Sequence, residues 1–471
     1  MKHRIVAVLL MVPAILLFAA SARAVTIELS GDRISIHAEK SPLSVILSRL
    51  SASGIQIQCP PHIDPEVTAT VTDKPIHEGL GAVLKPYGYV LFWERSGKNK
   101  SLRPAELHVF DSVGREENGR EEREEGFAVA VNPKDGSLYV RNEILLRIAP
   151  GSDGEILRSL VSGLGGVILE TDALLGIHRV RLPDGIDIPD FPAKLKAGEN
   201  RLTAEPNYAY PIDFPRRFVG RAPRFESVAP QNIISDTTGV PVAVLDSGWT
   251  AGYGLEERVI AALDAVNPGM PVTDGLGHGT QMALIAAGEV RPMGTAGEDA
   301  KASPIIPIRT FDDSGITSNF ALMRGIDFAL SSGARVLNMS WGSETSSPFL
   351  EEALAYADNR GLIVVAAAGN KATGAPVYPA AYPTVLGIGA LAPDGTPWQH
   401  SNYGSFVALS APGYADLPVG YKGEAGIYAG TSIAAAYVAN VISGWLTENP
   451  DWQKSDVMHR LRTHGLKRQN P

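Results

Sequence analysis

At 471 residues, with 44% hydrophobic and 20% charged side chains, the chain has globular composition and is long enough for two or three domains. That balance excludes a disordered or coiled-coil protein, and 48 glycines with 34 prolines point to the many turns of an α/β enzyme. A net charge of −9 argues against nucleic acid or an anionic membrane as the main partner, and the one cysteine, Cys59, excludes an intramolecular disulfide.

Residues 1–24 read as an export signal. Lys2, His3 and Arg4 precede an apolar run from Ile5 to Ala20, and Ser21-Ala22-Arg23-Ala24 supplies small residues for cleavage. Pro13 interrupts the run, which is short for a span of about 20 residues, so a removable signal is read in preference to an anchor. Loss of Lys2, Arg4 and Arg23 takes the net charge to −12. The expectation is an exported chain, periplasmic or secreted, with no membrane span after signal removal.

Residues 25–111 carry a small α+β pattern. Ile34, Ile36 and Ala38 alternate as in a half-buried strand. Ser41 is expected to cap a helix with Pro42 at its first position, and Leu43, Ile46, Leu47 and Leu50 form its apolar stripe. Strands at 55–58 and 67–71, a helix bearing Leu80, Val83 and Leu84, and a strand at 89–93 follow. This pattern resembles the short N-terminal domain of secretins and TonB-dependent receptors. The resemblance implies a Gram-negative periplasm and docking to an envelope protein through residues 25–111; a generic α+β appendage is the alternative. Residues 112–126, with the arginine and glutamate run from Arg115 to Glu125, read as a solvated linker.

A second α+β unit spans residues 127–211. A strand at 144–148 leads through Pro150-Gly151 to a helix with Ile156, Leu160 and Leu164, ended by Gly165-Gly166. Strands at 167–169 and 177–182, a short helix near Ala193 and the segment Ala204-Glu205-Pro206-Asn207-Tyr208 complete it. The unit, and that segment above all, resembles the inhibitor-like propeptide of bacterial subtilases. Residues 212–232, with Arg216, Arg217, Arg221 and Arg224, read as an exposed connector suited to activation cleavage.

Residues 233–471 hold three motifs in order. The apolar strand Val242-Ala243-Val244-Leu245 ends in Asp246-Ser247-Gly248, Gly277-His278-Gly279-Thr280 opens a helix, and Gly430-Thr431-Ser432 opens another, running through Ile433 to Val441. Each tripeptide alone is weak; the ordered set on strand and helix ends is strong. A serine hydroxyl needs a neighbouring imidazole to take its proton, and that imidazole needs a carboxylate to fix its tautomer. A serine at a helix N-terminus is expected to be exposed and close to backbone donors. The bland readings are a turn aspartate, a structural histidine and a simple N-cap serine. Of the histidines after residue 232 (His278, His400, His459 and His464), His278 alone sits between glycines at a helix start.

The order Asp, His, Ser is that of subtilisin, and residues from about 233 to 465 resemble a subtilisin-like serine protease. Further landmarks are Leu337-Asn338-Met339-Ser340-Trp341-Gly342, Ala366-Ala367-Ala368-Gly369-Asn370, Tyr378-Pro379-Ala380, Ser401-Asn402-Tyr403-Gly404 and Ala411-Pro412-Gly413. The resemblance implies a doubly wound parallel sheet with helices on both faces, an α/β fold preceded by the two small α+β domains. It also implies a zymogen that cuts peptide bonds in protein or peptide substrates, with its own propeptide as intramolecular inhibitor. Asp246 would orient, His278 act as general base and Ser432 as nucleophile. Asn370 would donate to the oxyanion, while Ser340, Trp341, Gly342, Ala368 and Gly369 would bind substrate.

The chain also departs from the family pattern. Ala436 stands at a usual proline, Asn440 at a usual glycine, and Gln281 at a usual histidine. These departures keep open the alternative of a catalytically weak or inactive binding protein of the cell envelope. Val377 and Trp341 point to a restricted pocket for small or medium apolar side chains. No organic cofactor is expected. Calcium stays open with no ligand identified, because residues 288–303 are short and lack asparagine.

Overall fold

In the computed structural model, which describes residues 25–30, 33–59, 63–85, 87–96, 101–110, 126–148, 154–172, 174–192, 202–217, 239–295, 301–420 and 424–463, the apolar runs of the second half form one seven-stranded sheet. The export signal, the charged run, the short helix near Ala193 and connector residues 218–232 lie outside the described residues. In spatial order the strands are Leu263–Asp264, Ile305–Arg309, Val242–Asp246, Val336–Met339, Ile363–Ala367, Val385–Leu391 and Val407–Pro412, all parallel. A parallel sheet is buried on both faces, so its strands read as continuous apolar runs. Val242 and Val244 pack on one side with the helices His278–Ala286 and Thr431–Glu448. Ala243 and Leu245, one residue out of phase, pack on the other with Asn319–Ser331 and Pro348–Asn359. Chain order reverses at Val242–Asp246, whose neighbours are the strand beginning at Ile305 on one side and at Val336 on the other. That switch point is where α/β sheets open a crevice beyond the strand carboxyl ends.

Residues 126–217 build on a second, antiparallel sheet. The strand Leu138–Ile148 lies at its centre, flanked by Leu202–Pro211 and Ile177–Arg181, with Val129–Val131 and Val167–Asp172 outside and the helix Gly154–Gly163 packed against it. Its far edge is a strand of the C-terminal half: Ile316–Ser318 pairs with Ala209, Tyr210 and Pro211. Ser318 and Ser347 cap the helices Asn319–Ser331 and Pro348–Asn359 through their side chains. The Glu205 carboxylate lies where both helices begin, accepting from Asn319 Nδ2 at 2.8 Å and Ser347 Oγ at 2.5 Å. Two helix dipoles thus face one buried anion. Asn207 Oδ1 accepts from Phe320 N at 3.2 Å, and the Tyr210 hydroxyl donates to Asn319 Oδ1 at 2.7 Å. The pairs Arg147–Glu352 and Arg324–Glu170 close the edges of this contact.

Residues 25–110 form two three-stranded sheets with the helices Leu43–Ala52 and Ile76–Leu84 around a core of Ile34, Ile36, Leu43, Ile46, Leu50 and Leu80. Ser41 does not cap the first helix. The strand Arg33–Pro42 runs on through it, its hydroxyl turns back to Glu39 O, and Pro42 takes the cap position. The first-turn amide of Ser44 is held instead by Asp64 from across the unit. No helix among the described residues is long and apolar enough to cross a membrane.

Replacing Glu205 by Ala leaves the buried Asn319 amide and Ser347 hydroxyl short of their acceptor. A loss of about 1–3 kcal/mol is expected, read as a lower urea midpoint for the full chain, with Glu205→Gln losing less than Glu205→Ala.

Candidate active site

Asp246 ends a fully buried strand and His278 begins a helix, and glycines set the distance between them. Gly248, at φ +112°, lies against Thr273 O, and any Cβ on Gly279 would run into the Gly248 carbonyl. The two backbones therefore touch, which brings His278 Nδ1 to 2.7 Å from Asp246 Oδ1 with both side chains fully buried. Ser247 N donates to the same carboxylate oxygen at 2.8 Å. A carboxylate so held fixes the proton on Nδ1 and turns Nε2 outward as an acceptor.

Asp274 is a residue that motif reading missed. Its Oδ1 accepts from Ser247 Oγ at 2.8 Å, Leu276 N at 3.1 Å and Gly277 N at 2.8 Å, and its Oδ2 from Thr280 N at 2.8 Å and Thr280 Oγ1 at 2.6 Å. The cap of the histidine helix, Gly277, has no side chain of its own, so Asp274 supplies the missing acceptor and ties that helix to Ser247. Its signal was an acidic residue three positions before the glycine cap. Burial pushes the His278 imidazole toward its neutral form, but the charge and hydrogen bond of Asp246, joined by Asp274 and Asp213, outweigh burial and raise its pKa above the ordinary 6.5.

Ser432 lies in the first turn of Thr431–Glu448. Asn370 Oδ1 accepts from Thr431 N at 2.9 Å and Thr431 Oγ1 at 3.0 Å, which fixes the orientation of the amide. Ser340 Oγ donates to Ser432 O at 3.1 Å and accepts from Asn338 Nδ2 at 2.8 Å, so Ser340 holds the serine's own backbone. Ser432 is buried and not exposed as expected, because residues 212–217 lie over it. Ile212 N donates to Gly315 O at 2.8 Å. Asn370 Nδ2 donates to Asp213 Oδ2 at 3.1 Å. The Phe214 ring stands edge-on to His278 with centroids 5.9 Å apart. A side chain on Gly430 would sit 3.0 Å from Ser432 Oγ and 3.3 Å from Pro215 Cβ. Arg216 and Arg217 then pair with Ala429 and Tyr428, on the strand Gly426–Ala429 that leads into the serine. This first part of the expected exposed connector is therefore a strap. Beneath it His278 Nε2 and Ser432 Oγ are buried, neither with a hydrogen-bond partner among the described residues.

The expected substrate-binding segments are backbone walls. Ser343 and Tyr378 bridge antiparallel next to Gly342, and Ala368 and Gly369 follow the strand Ile363–Ala367. Val377 stands between them: a Cβ on Gly342 would collide with its Cγ1, and one on Gly369 would lie 3.5 Å from its Cγ2. Trp341 adds no bulk to this space, since it packs 5.2 Å from Tyr210 and 5.8 Å from Phe311 in the core.

Two of the three sequence departures have structural reasons. Gln281 Nε2 donates to Val419 O at 2.8 Å. Asn440 Nδ2 donates to Ala286 O at 2.8 Å and Lys301 O at 2.7 Å while its Oδ1 accepts from Lys301 N at 3.1 Å, so one buried amide anchors the segment after residue 300. Ala436 lies in an unbroken helix, and nothing further explains it. No group of three or more His, Cys, Asp or Glu among the described residues is placed to hold a metal.

A family model described as the subtilase family matches residues 237–469. Thermitase of Thermoactinomyces vulgaris is 35% identical over 213 residues, 44% of this chain and 75% of its own length. Subtilisin Savinase of Lederbergia lenta is 33% identical over 243 residues, 51% of this chain and 88% of its own. Fervidolysin from Fervidobacterium pennivorans, a keratinolytic enzyme related to subtilisin, shares the fold with a TM-score of 0.55 at 22% identity, over 72% of this chain and 59% of that one.

The His278 imidazole should titrate above 6.5 when followed by NMR. Asp274→Asn removes a negative charge that favours the imidazolium and should move that midpoint down; an unchanged midpoint would dismiss the Asp274 contribution.

Proposed function

The chain belongs to the subtilase family and is a subtilisin-like serine endopeptidase, and from that premise we propose that Ser432, His278, Asp246 and Asn370 carry its chemistry. The observation that carries this reading is the 2.7 Å buried bond between His278 Nδ1 and Asp246 Oδ1, made beside an Asn370 amide locked to the residue before Ser432. With Nδ1 protonated and held, Nε2 takes the Ser432 proton as Oγ attacks the scissile carbonyl. Negative charge gathers on the carbonyl oxygen, where the Asn370 amide and the Ser432 backbone N–H donate to it. His278 returns its proton to the leaving amine, an acyl-enzyme remains on Ser432, and water enters by the same relay in reverse to release the acid. Asp246 stays ionised throughout and steadies the imidazolium.

The same proposal extends to the rest of the chain. Residues 1–24 direct export to the periplasm or beyond. Residues 127–211 are the inhibitory propeptide, a reading supported by Glu205, Asn207 and Tyr210 docking on the starts of two helices of the protease domain. Residues 25–111 dock an envelope protein, and 112–126 link the two. Ser340, Gly342, Ala368 and Gly369 line the substrate cleft by their backbones. Val377, wedged between Gly342 and Gly369, restricts it to small or medium apolar side chains. The rival reading of an inactive binding protein drew on the altered nucleophile helix, and the anchoring of Asn440 gives one of those changes a packing role instead.

Ser432→Ala should abolish peptide hydrolysis and leave the propeptide uncut, as read by mass spectrometry of the N-terminus. Asn370→Ala should lower kcat by about 10²–10³-fold, the magnitude known for a subtilisin oxyanion donor, with KM little changed. A peptide-library profile should show Val377→Gly accepting larger side chains than the parent; a parent already dominated by large aromatic or basic residues would overturn the restricted pocket.

A further inference from the structure

We propose that Asp213 is the residue that holds the uncut enzyme off, by placing its carboxylate on the Asn370 amide that the oxyanion needs. The inference rests on the assignment of Ser432, His278 and Asn370 as catalytic groups and adds how this chain silences them. Three observations carry it. First, the strap is fixed on both sides of the site. Ile212 is bonded to Gly315 O before it, and Arg216 and Arg217 are paired with Ala429 and Tyr428 after it. Only Asp213, Phe214 and Pro215 lie between, and they meet Asn370, His278 and the Gly430–Ser432 turn in that order.

Second, the Asn370 amide is fixed in orientation, and Asp213 takes one of its two N–H donors. Its Oδ1 is committed to Thr431 N and Thr431 Oγ1, so the amide cannot turn over, and the outward Nδ2 is already bonded to the Asp213 carboxylate. The oxyanion of a tetrahedral adduct would have to share that nitrogen with a charged acceptor, or displace it. The new oxyanion would also form beside a negative charge already in place, which disfavours it. The same carboxylate adds to the fields that favour a protonated His278, the form unable to accept the Ser432 proton.

Third, the strap blocks without dismantling the Asp246–His278 pair. The Asp246–His278 bond is fully formed beneath it. The bond from Phe214 to Pro215 is a tertiary amide whose nitrogen has no hydrogen to give a partner strand, so the crossing stretch fills the cleft without complete pairing as a substrate strand. Withdrawal of residues 212–217 therefore exposes an assembled Asp246–His278 pair, with the hydrogen bond from Ser432 Oγ to His278 Nε2 still to form.

The test measures the rate at which a fluorophosphonate probe labels Ser432 in the full chain. Four proteins are compared: the parent, Asp213→Ala, Asp213→Asn, and a chain in which residues 211–217 are replaced by a glycine-serine linker. Thermal unfolding of each checks that it is folded. Labelling at least tenfold faster than the parent in both Asp213 variants, abolished by adding Ser432→Ala, is the expected result. If the linker chain labels rapidly while both Asp213 variants stay within threefold of the parent, the blockade belongs to the bulk of Phe214 and Pro215 and the proposal is overturned. If the folded linker chain does not label either, the assignment of Ser432 as nucleophile fails first.

Discussion

The buried bond between Asp246 and His278 is the constraint on which the rest of the protein is organised. A carboxylate and an imidazole without water are costly unless each meets its partner at close range. Here the range is set by backbone contact. Gly248 and Gly279 touch, Ser247 accepts from Gly279 N at 2.8 Å, and Asp274 binds Ser247 and the histidine helix together. The parallel sheet delivers the carboxylate to this point because Val242–Asp246 is the strand at which the winding reverses. The Asp246–His278 pair is thus a product of sheet topology and glycine contact before it is a product of side-chain chemistry.

The serine side of the site is held by a separate network. Asn370 fixes Thr431, and Ser340 fixes the Ser432 carbonyl. Farther along the same helix Asn440 and Ser443 bond the segment after residue 300 and Val240 O. A helix so anchored along its length does not depend on a proline at position 436 to define its course. That is a physical reason why a departure from the family pattern at Ala436 need not loosen Ser432.

Much of this was legible in the sequence, for identifiable reasons. Val242 to Leu245 is apolar at every position because both faces of its strand are covered, and the glycines around His278 and before Ser432 mark places where a side chain has no room. What stayed hidden depended on distant partners. The cap for the helix at Leu43 comes from Asp64, and Ser41, beside the helix start, takes no part. Trp341 looked like a pocket residue because only its neighbours along the chain were known; Tyr210, more than a hundred residues away, turns it into core. Asp274 carried a weak local signal and has its meaning only once Ser247 is beside it. The strap escaped notice because nothing in Ile212-Asp213-Phe214-Pro215 distinguishes a segment crossing a cleft from one in solvent.

One polypeptide runs from Leu202 through Arg217, first as a shared sheet strand against Ile316–Ser318 and then across to Gly426–Ala429. Covalent continuity makes its hold on the cleft independent of how dilute the protein is, since a tethered segment acts at an effective concentration in the millimolar range. Once that tether is severed, the same contacts become a bimolecular equilibrium. Occupancy of the cleft would then fall with dilution.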